Sequence, residues 1–413
     1  MAIIKPFKGL RPVEDKIQLV ASPPYDVLNS EEARQKAAGN PYSFLHVVKP
    51  EIDLDPGIDL YDPKVYQKGR ENLDKLVEEN VLKQDEKPCL YIYKLTMGNH
   101  QQTGIVACCS VDDYEKDIIK KHEFTRIDKE NDRMRHIDSL NAQTGPVFLT
   151  YRAKNRINEL VEQAMQKEPV YDFTGDYSVQ HTVYLVDNEE LINELVDAFS
   201  EIDYLYVADG HHRSASATRV RKARMEANPN HTGEEEYNFF LSVIFPDTQM
   251  QILDYNRVIK DTDDFSTEDF VKALEDKFTI EPQTSTYKPE AVHTFGLYIN
   301  GKWYKLSAKD DSFDKNDPVK SLDVSILQEN VLTPLLGITD PRTDKRINFV
   351  GGIRGLEELE RLVDSGEYKA AFALFPTGID QLLSVADSGN VMPPKSTWFE
   401  PKLASGVVIH KLD

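Results

Sequence analysis

The stretch 204–217, YLYVADGHHRSASA, constrains this chain more than any other segment. Its apolar opening has the make-up of a buried strand, Asp209-Gly210 allows a tight turn, and HHRSASATRVRKARMEA continues as a helix. A strand that enters a helix through a glycine leaves the first helical N–H groups open, which makes an anion site. Arg213 falls in that first turn. A cation there opposes the helix dipole by a few tenths to ~1 kcal/mol, so its placement makes sense when an anion lies between them. From Asp209 to Arg224 the formal charge is +4. The small residues Ser214, Ala215, Ser216 and Ala217 let the helix approach a sheet or a ligand closely. The competing reading is a structural strand, turn and helix whose basic face pairs with the chain's carboxylates.

The remaining pattern mixes strands and helices without strict alternation, which predicts an α+β fold with mixed sheets. The first 60 residues, punctuated by prolines at 6, 12, 23, 24, 41, 50 and 56, read as an extended wrapping segment with a short helix from Ser30, capped by Asn29 or Ser30. Helical spacing follows over 64–83. PCLYIYKLTM and TGIVACCSV form a hairpin about a Gly-Asn turn, and a second hairpin turns at Asn300-Gly301. Strands are expected at VFLTYR, HTVYLV, YNFFLSVIF, MQILDY, INFV, AAFALF and GVVIHKL, with helices over 154–167, NEELINELVDAFS, after Ser266, SLDVSILQENVL and GLEELERLVD. Three segments are expected: an N-terminal α+β region over 1–150, a core over 151–290 that holds the Asp-Gly-His-His-Arg loop, and a C-terminal α/β region over 291–413.

Three further segments carry reactive side chains. Residues 120–135 place His122 and Glu123 beside Thr125 and Arg126, a proton acceptor and an anion clamp in one stretch; the alternative is a solvated, salt-bridged helix. Residues 391–406, VMPPKSTWFEPKLASG, hold Lys395, Ser396 and Thr397 behind two prolines. The glycines of a P-loop are missing, so the alternative is a proline-stapled crossover. Residues 21–27, ASPPYDV, set Tyr25 and Asp26 after a rigid Pro-Pro, where a turn is the plainer reading. Gly351-Gly352-Ile353-Arg354-Gly355 lacks dinucleotide spacing, and H-E-x-x-H, G-x-S-x-G and paired C-x-x-C are absent. Asp209, His211 and His212 are candidate metal ligands, yet adjacent helical residues point ~100° apart, so both histidines do not readily hold one ion.

Through ADGHHRSASA, together with ASPPYDV, KKHEFTR and MPPKSTWFEPKLASG, four motifs in the same order over nearly the whole length, the chain resembles the bacterial and archaeal family called domain of unknown function 1015. That family is similar to the ParB/sulfiredoxin superfamily, so the resemblance implies a nucleotide-binding core. Gly210, His212 and Arg213 match the superfamily's phosphate-binding element, with His211 in its variable position. No cysteine stands there, which removes sulfinic-acid reduction, and no helix-turn-helix module of ParB type is evident. Free-serine kinases of the superfamily use a similar loop, which Asp209 to Arg213 match. The resemblance therefore implies a kinase acting on a small hydroxylated metabolite such as free L-serine, with ATP or ADP as donor and Mg²⁺. Gly210, His211, His212 and Arg213 would hold phosphates, and Asp209 would bind the ion. On chemical grounds alone, Glu123 is the expected base, a carboxylate flanked by Lys121 and Arg126, with Asp209 and His212 beside it at the reacting groups. Tyr25, Asp26, His122 and Arg126 are expected at the substrate, and Lys395, Ser396 and Thr397 closing over nucleotide or substrate. The alternatives are a non-catalytic ParB-like nucleotide-binding regulator and a metal-dependent hydrolase using His122, Glu123, Asp209 and His211.

Composition narrows the partners. The 413 residues include 49 basic and 70 acidic side chains, a formal charge of −21, and 40% hydrophobic residues. The acidic surface repels phosphate polyanions and anionic membranes. Cys89, Cys108 and Cys109 imply no disulfide framework. Pro6 comes too early for a signal sequence, and no apolar run approaches the ~18 residues of a span, so the expected compartment is the cytoplasm. The oligomeric state is left open. The charge balance predicts that a gel-shift titration at physiological salt finds no tight duplex binding; submicromolar, competitor-resistant binding would contradict it.

Overall fold

The computed structural model describes residues 1–262 and 265–413. The chain divides into two compact units, Met1–Met250 with Pro401–Asp413, and Gln251–Glu400. In the first unit a nine-stranded sheet runs in the order Ile119–Lys120, Leu205–Asp209, Val147–Tyr151, Phe239–Pro246, His100–Ser110, Leu90–Met97, Gln180–Val186, Tyr171–Thr174, with Ile4–Lys5 added to His100–Ser110. Leu205–Asp209 is parallel to Ile119–Lys120 and Phe239–Pro246 is parallel to Val147–Tyr151, while the other pairs are antiparallel. The expected α+β class with mixed sheets is what the chain forms. In the second unit, six antiparallel strands follow the order Phe278–Gln283, Lys302–Ala308, Thr294–Ile299, Ala370–Leu374, Tyr255–Ile259, Ile347–Gly351.

This division differs from the three expected segments. Val147–Tyr151 lies between Leu205–Asp209 and Phe239–Pro246, so residues on both sides of 150 build one sheet. Residue 290 falls between two strands of the second sheet in the same way. The last strand of the large sheet ends at Pro246, which is where the first unit can close.

Local signals account for most elements. Asn29 caps Ser30–Ala37 through a capping box with Glu32. Asp62 caps Pro63–Glu78, whose first residue is proline. Leu90–Met97 and His100–Ser110 meet at Gly98-Asn99, with Gly98 at φ 57°. The N-terminal segment is less extended than its prolines suggest. It also forms the short helices Ile17–Val20 and Leu45–Val48, and its Val20, Phe44 and Leu45 pack with Leu73, Leu76 and Ile409. Ser22 and Ser405 exchange backbone hydrogen bonds at 3.1 and 2.8 Å, which brings residues 21–27 beside the returning C-terminal segment. GVVIHKL supplies only the two-residue strand His410–Lys411, paired with Ala142–Gln143.

One face of the large sheet, including Ile92, Ile105, Leu149 and Val207, packs on Leu160, Leu195 and Phe199 of the covering helices. Leu149 is fully buried at the centre of that layer. Leu149→Ala is expected to cost about 2–5 kcal/mol through lost transfer energy and the cavity left behind. Urea unfolding of both proteins measures it, and a loss below 1 kcal/mol would contradict the assigned core.

Candidate functional site

The strand Leu205–Asp209 is buried until its last residue, and the pairing register with Val147–Tyr151 slips between Val207 and Asp209. The helix His211–Ala227 then starts without a side-chain cap. Gly210 makes the join at φ 100°. An added Cβ would sit 3.4 Å from the Arg213 guanidinium and from the Val147 backbone, so glycine serves both the left-handed turn and the close approach.

Arg213 folds back beneath this turn. Its Nη1 donates to the Pro146 carbonyl, and its Nη2 lies 3.5 Å from Asp26 and 4.0 Å from Asp209. Its Nε is buried without a partner. Asp209 also accepts a hydrogen bond from Lys402 Nζ at 3.0 Å. Burial alone would raise the Asp209 carboxyl, but the Lys402 ammonium, with Arg213 close by, holds it well below the usual carboxylate range. Three separate pieces of the chain, residues 21–27, the 209–213 turn and the 401–406 segment, thus meet through charge.

Two histidines form the other wall. The rings of His122 and His211 touch edge to face, 4.5 Å between centroids and 87° between planes. Burial pushes His122 down to about 4. Burial, with His122 alongside, also drives His211 well below its ordinary value, so both rings are neutral near pH 7. One ring nitrogen of His122 meets the Val207 backbone, while its other nitrogen and Nε2 of His211 lack partners. His211 Nδ1 lies 3.8 Å from Glu123 Oε2. His212 points the other way, and its Nε2 accepts the backbone N–H of Arg126 at 3.0 Å.

The first unit therefore gathers Tyr25, Asp26, His122, Glu123 and the 209–213 turn, with the Arg126 backbone. Several expected roles change in detail. The Arg126 guanidinium forms a fork onto Asp128 at 3.1 and 2.8 Å, so its main chain, not its side chain, faces the turn. Lys121 bonds Asp117 at 2.8 Å and the Tyr114 carbonyl at 3.0 Å, and His211 is a neighbour of Glu123 that the sequence did not suggest. Lys395, Ser396 and Thr397 belong to the second unit. There Lys395 stands at φ 59° with its carbonyl accepting from Arg257 at 3.0 Å, and Ser396 Oγ donates to Pro393 at 2.6 Å. The basic face of the helix follows the structural reading: Arg219 meets Glu130, Arg221 meets Asp112 and Glu115, and Arg224 meets Asp138. Sequence reasoning gave Lys402 and Arg133 no role at the site. Lys402 lay inside a segment already singled out, but only contact across 193 residues gives it a role. Among the described residues, no group of three or more His, Cys, Asp or Glu side chains could hold a metal ion. No helix among them is long and apolar enough to cross a membrane.

The chain belongs to the family described as protein of unknown function DUF1015, whose model matches residues 4–325. No curated protein matches it. Among solved structures it is similar to a free serine kinase in complex with AMP, at 13% identity and a TM-score of 0.36, covering 72% of this chain and 86% of that one. It is also similar to SbnI with C-terminal truncation from Staphylococcus aureus, at 12% identity and a TM-score of 0.37, with 72% and 84% covered. A conserved hypothetical protein from Pyrococcus furiosus gives 14%, 0.34, 72% and 90%.

The buried histidines make the fold acid-sensitive. His122 and His181 have folded values near 4 and His136 near 3, against 6.5 when exposed. Below pH 6.5 the unfolded chain takes up protons that the folded chain refuses, so stability is full above that pH and falls as pH drops toward 4. His122 alone contributes at most about 3 kcal/mol over this range. Chemical denaturation at pH 7.5, 6 and 5 should give steadily lower midpoints. A flat series would show that these rings are protonated in the fold.

Proposed function

We propose that this DUF1015 member is a nucleotide-dependent small-molecule kinase acting in the cytoplasm, with an alcohol as acceptor and free L-serine as the acceptor the sequence resemblance favours. One observation carries the reading. Three buried side-chain nitrogens at this site lack partners among the described residues: one ring nitrogen of His122, whose other meets the Val207 backbone, Nε2 of His211 and Nε of Arg213. Leaving such an atom unsatisfied costs about 1–3 kcal/mol. Three together, beside an uncapped helix start, favour a site completed by a polar ligand. The open N–H groups and Arg213 suit phosphate oxygens, and neutral histidines add hydrogen-bonding capacity without further charge.

In this reading the acceptor hydroxyl attacks the terminal phosphorus of ATP or ADP, its proton passes to Glu123, and the nucleotide leaves one phosphate shorter. Arg213 and the first turn hold the phosphates as charge shifts to the leaving oxygen. A protein-held metal does not fit, since Asp209 is already paired with Lys402. Mg²⁺ fits as an ion carried by the nucleotide, where it neutralises phosphate charge. The occupied Asp209 also favours a second reading, a non-catalytic nucleotide-binding regulator, which shares the clamp and lacks turnover. The hydrolase reading finds no ligand set among the described residues.

The decisive experiment incubates the protein with Mg²⁺, ATP or ADP, and L-serine within a pool of hydroxylated metabolites, followed by mass spectrometry for phosphorylated products. Nucleotide binding without any product would leave the regulator. Arg213→Lys keeps the charge but loses the planar fork, so nucleotide affinity should fall roughly ten- to hundred-fold while the protein stays folded. Unchanged affinity in a folded Arg213→Lys protein would remove the clamp. Arg213→Ala is the poorer probe, because it strips a partner from Asp26 and Asp209.

A further inference from the structure

Beside Arg213, within the first unit, lies a cavity of about 40 Å³ that also involves Arg133, His136, Tyr25, Thr144 and Ser405. A water needs ~10–15 Å³ measured this way, so the space holds about three. A carboxylate with a carbon or two fits there; a purine or a triphosphate does not.

The wall is polar and incompletely satisfied. Arg133 directs Nε and Nη2 to one oxygen of Asp132, at 3.0 and 2.7 Å, and its Nη1 has no protein partner among the described residues. The other Asp132 oxygen accepts from the Tyr66 hydroxyl at 3.0 Å, and the Arg133 guanidinium lies 4.1 Å over the Tyr25 ring. The fork is therefore fixed before any ligand arrives. His136 donates its Nε2 proton to the Val47 carbonyl at 3.0 Å. Burial pushes this histidine down to about 3, so the ring is neutral and Nδ1 is a bare acceptor. The hydroxyls of Tyr25, Thr144 and Ser405 likewise lack protein partners among the described residues.

These groups define a ligand. The Arg133 Nη1 offers a charge-assisted donor to a ligand oxygen, and the bare His136 Nδ1 accepts from a donor beside it. Arg133 and Arg213 already face Asp132 and Asp26, so the wall is close to neutral and suits a monoanion better than a dianion such as phosphate. We infer that this cavity binds the carboxylate of a small α-hydroxy or α-amino acid, with Arg133 as the residue that selects for it. Its identification as the acceptor pocket rests on the kinase reading; the preference for a small carboxylate does not.

Isothermal titration calorimetry on the full chain, with and without ADP, tests this using glycolate, L-serine, ethylene glycol and inorganic phosphate. Glycolate and L-serine should bind, ethylene glycol should not, and phosphate should fail to displace glycolate from the ADP-loaded protein. Arg133→Lys should weaken glycolate binding by roughly tenfold or more, because the fork is lost. Ser405→Val fills the cavity without touching an ion pair and should do the same, which keeps the test open if Arg133→Lys fails to fold. ADP affinity should be unchanged in both. The inference is overturned by absence of glycolate and L-serine binding in both states, by displacement with phosphate, or by normal glycolate binding in folded Ser405→Val or Arg133→Lys. A wild type that binds glycolate but not ADP would remove the kinase reading and leave the pocket standing.

Discussion

The ion pair between Lys402 and Asp209 is the contact on which the arrangement of the site depends. Asp209 ends a buried strand where an unpaired carboxylate would be costly, and Lys402 reaches it from the segment that returns at 401. Removing one partner of a buried pair typically costs 3–5 kcal/mol, because the other charge stays behind; the partial exposure of both groups puts this pair toward or below the lower end. Its structural effect is clearer than its energy. With Asp209 held by Lys402, Arg213 can sit between Asp26 and the Pro146 carbonyl instead of collapsing fully onto Asp209.

That arrangement also explains the buried histidines. A charged His211 beside Arg213 would add repulsion in a region already rich in cations. Burial instead keeps His122 and His211 neutral, and their edge-to-face contact fixes their orientation. Neutral rings can either donate or accept, so the site presents fixed positive charge at Arg213 and adaptable hydrogen bonding beside it. On the other side of Arg213, His136 is likewise neutral, but its backbone bond settles which nitrogen carries the proton.

The elements themselves were legible because they carry local signals: the Asn29 cap, the Gly98-Asn99 turn, the Asn300-Gly301 turn and the Gly210 junction each depend on a few neighbouring residues. Sequence reasoning reached Tyr25, Asp26, His122, Glu123 and the 209–213 turn as candidates, since each stood in an unusual local combination. It gave no role to Lys402 or Arg133. Arg133 looked like one charge in a solvated run, and only the packing of its helix against Tyr25 and Tyr66 buries it. The Arg126 role shifted for the converse reason: Asp128, two residues away, captures its guanidinium before a ligand can. Unit boundaries were equally hidden, because strand order in a mixed sheet is a non-local property.

The two arginines near the cavity illustrate how one residue type can be set to different tasks. Arg213 lies beside the open helix start, where backbone N–H groups add to its positive field, so its surroundings favour a multiply charged anion. Arg133 is matched one-to-one by Asp132 and stacked on Tyr25, so little net field remains and geometry decides what it accepts. A field of the first kind draws in phosphates with weak regard for shape, whereas a fixed fork in a space for about three waters discriminates by shape and hydrogen-bond pattern. Placing both at one cavity separates strength of attraction from choice of ligand. On the proposed kinase reading, that separation keeps a highly charged donor from occupying the place of a small acceptor.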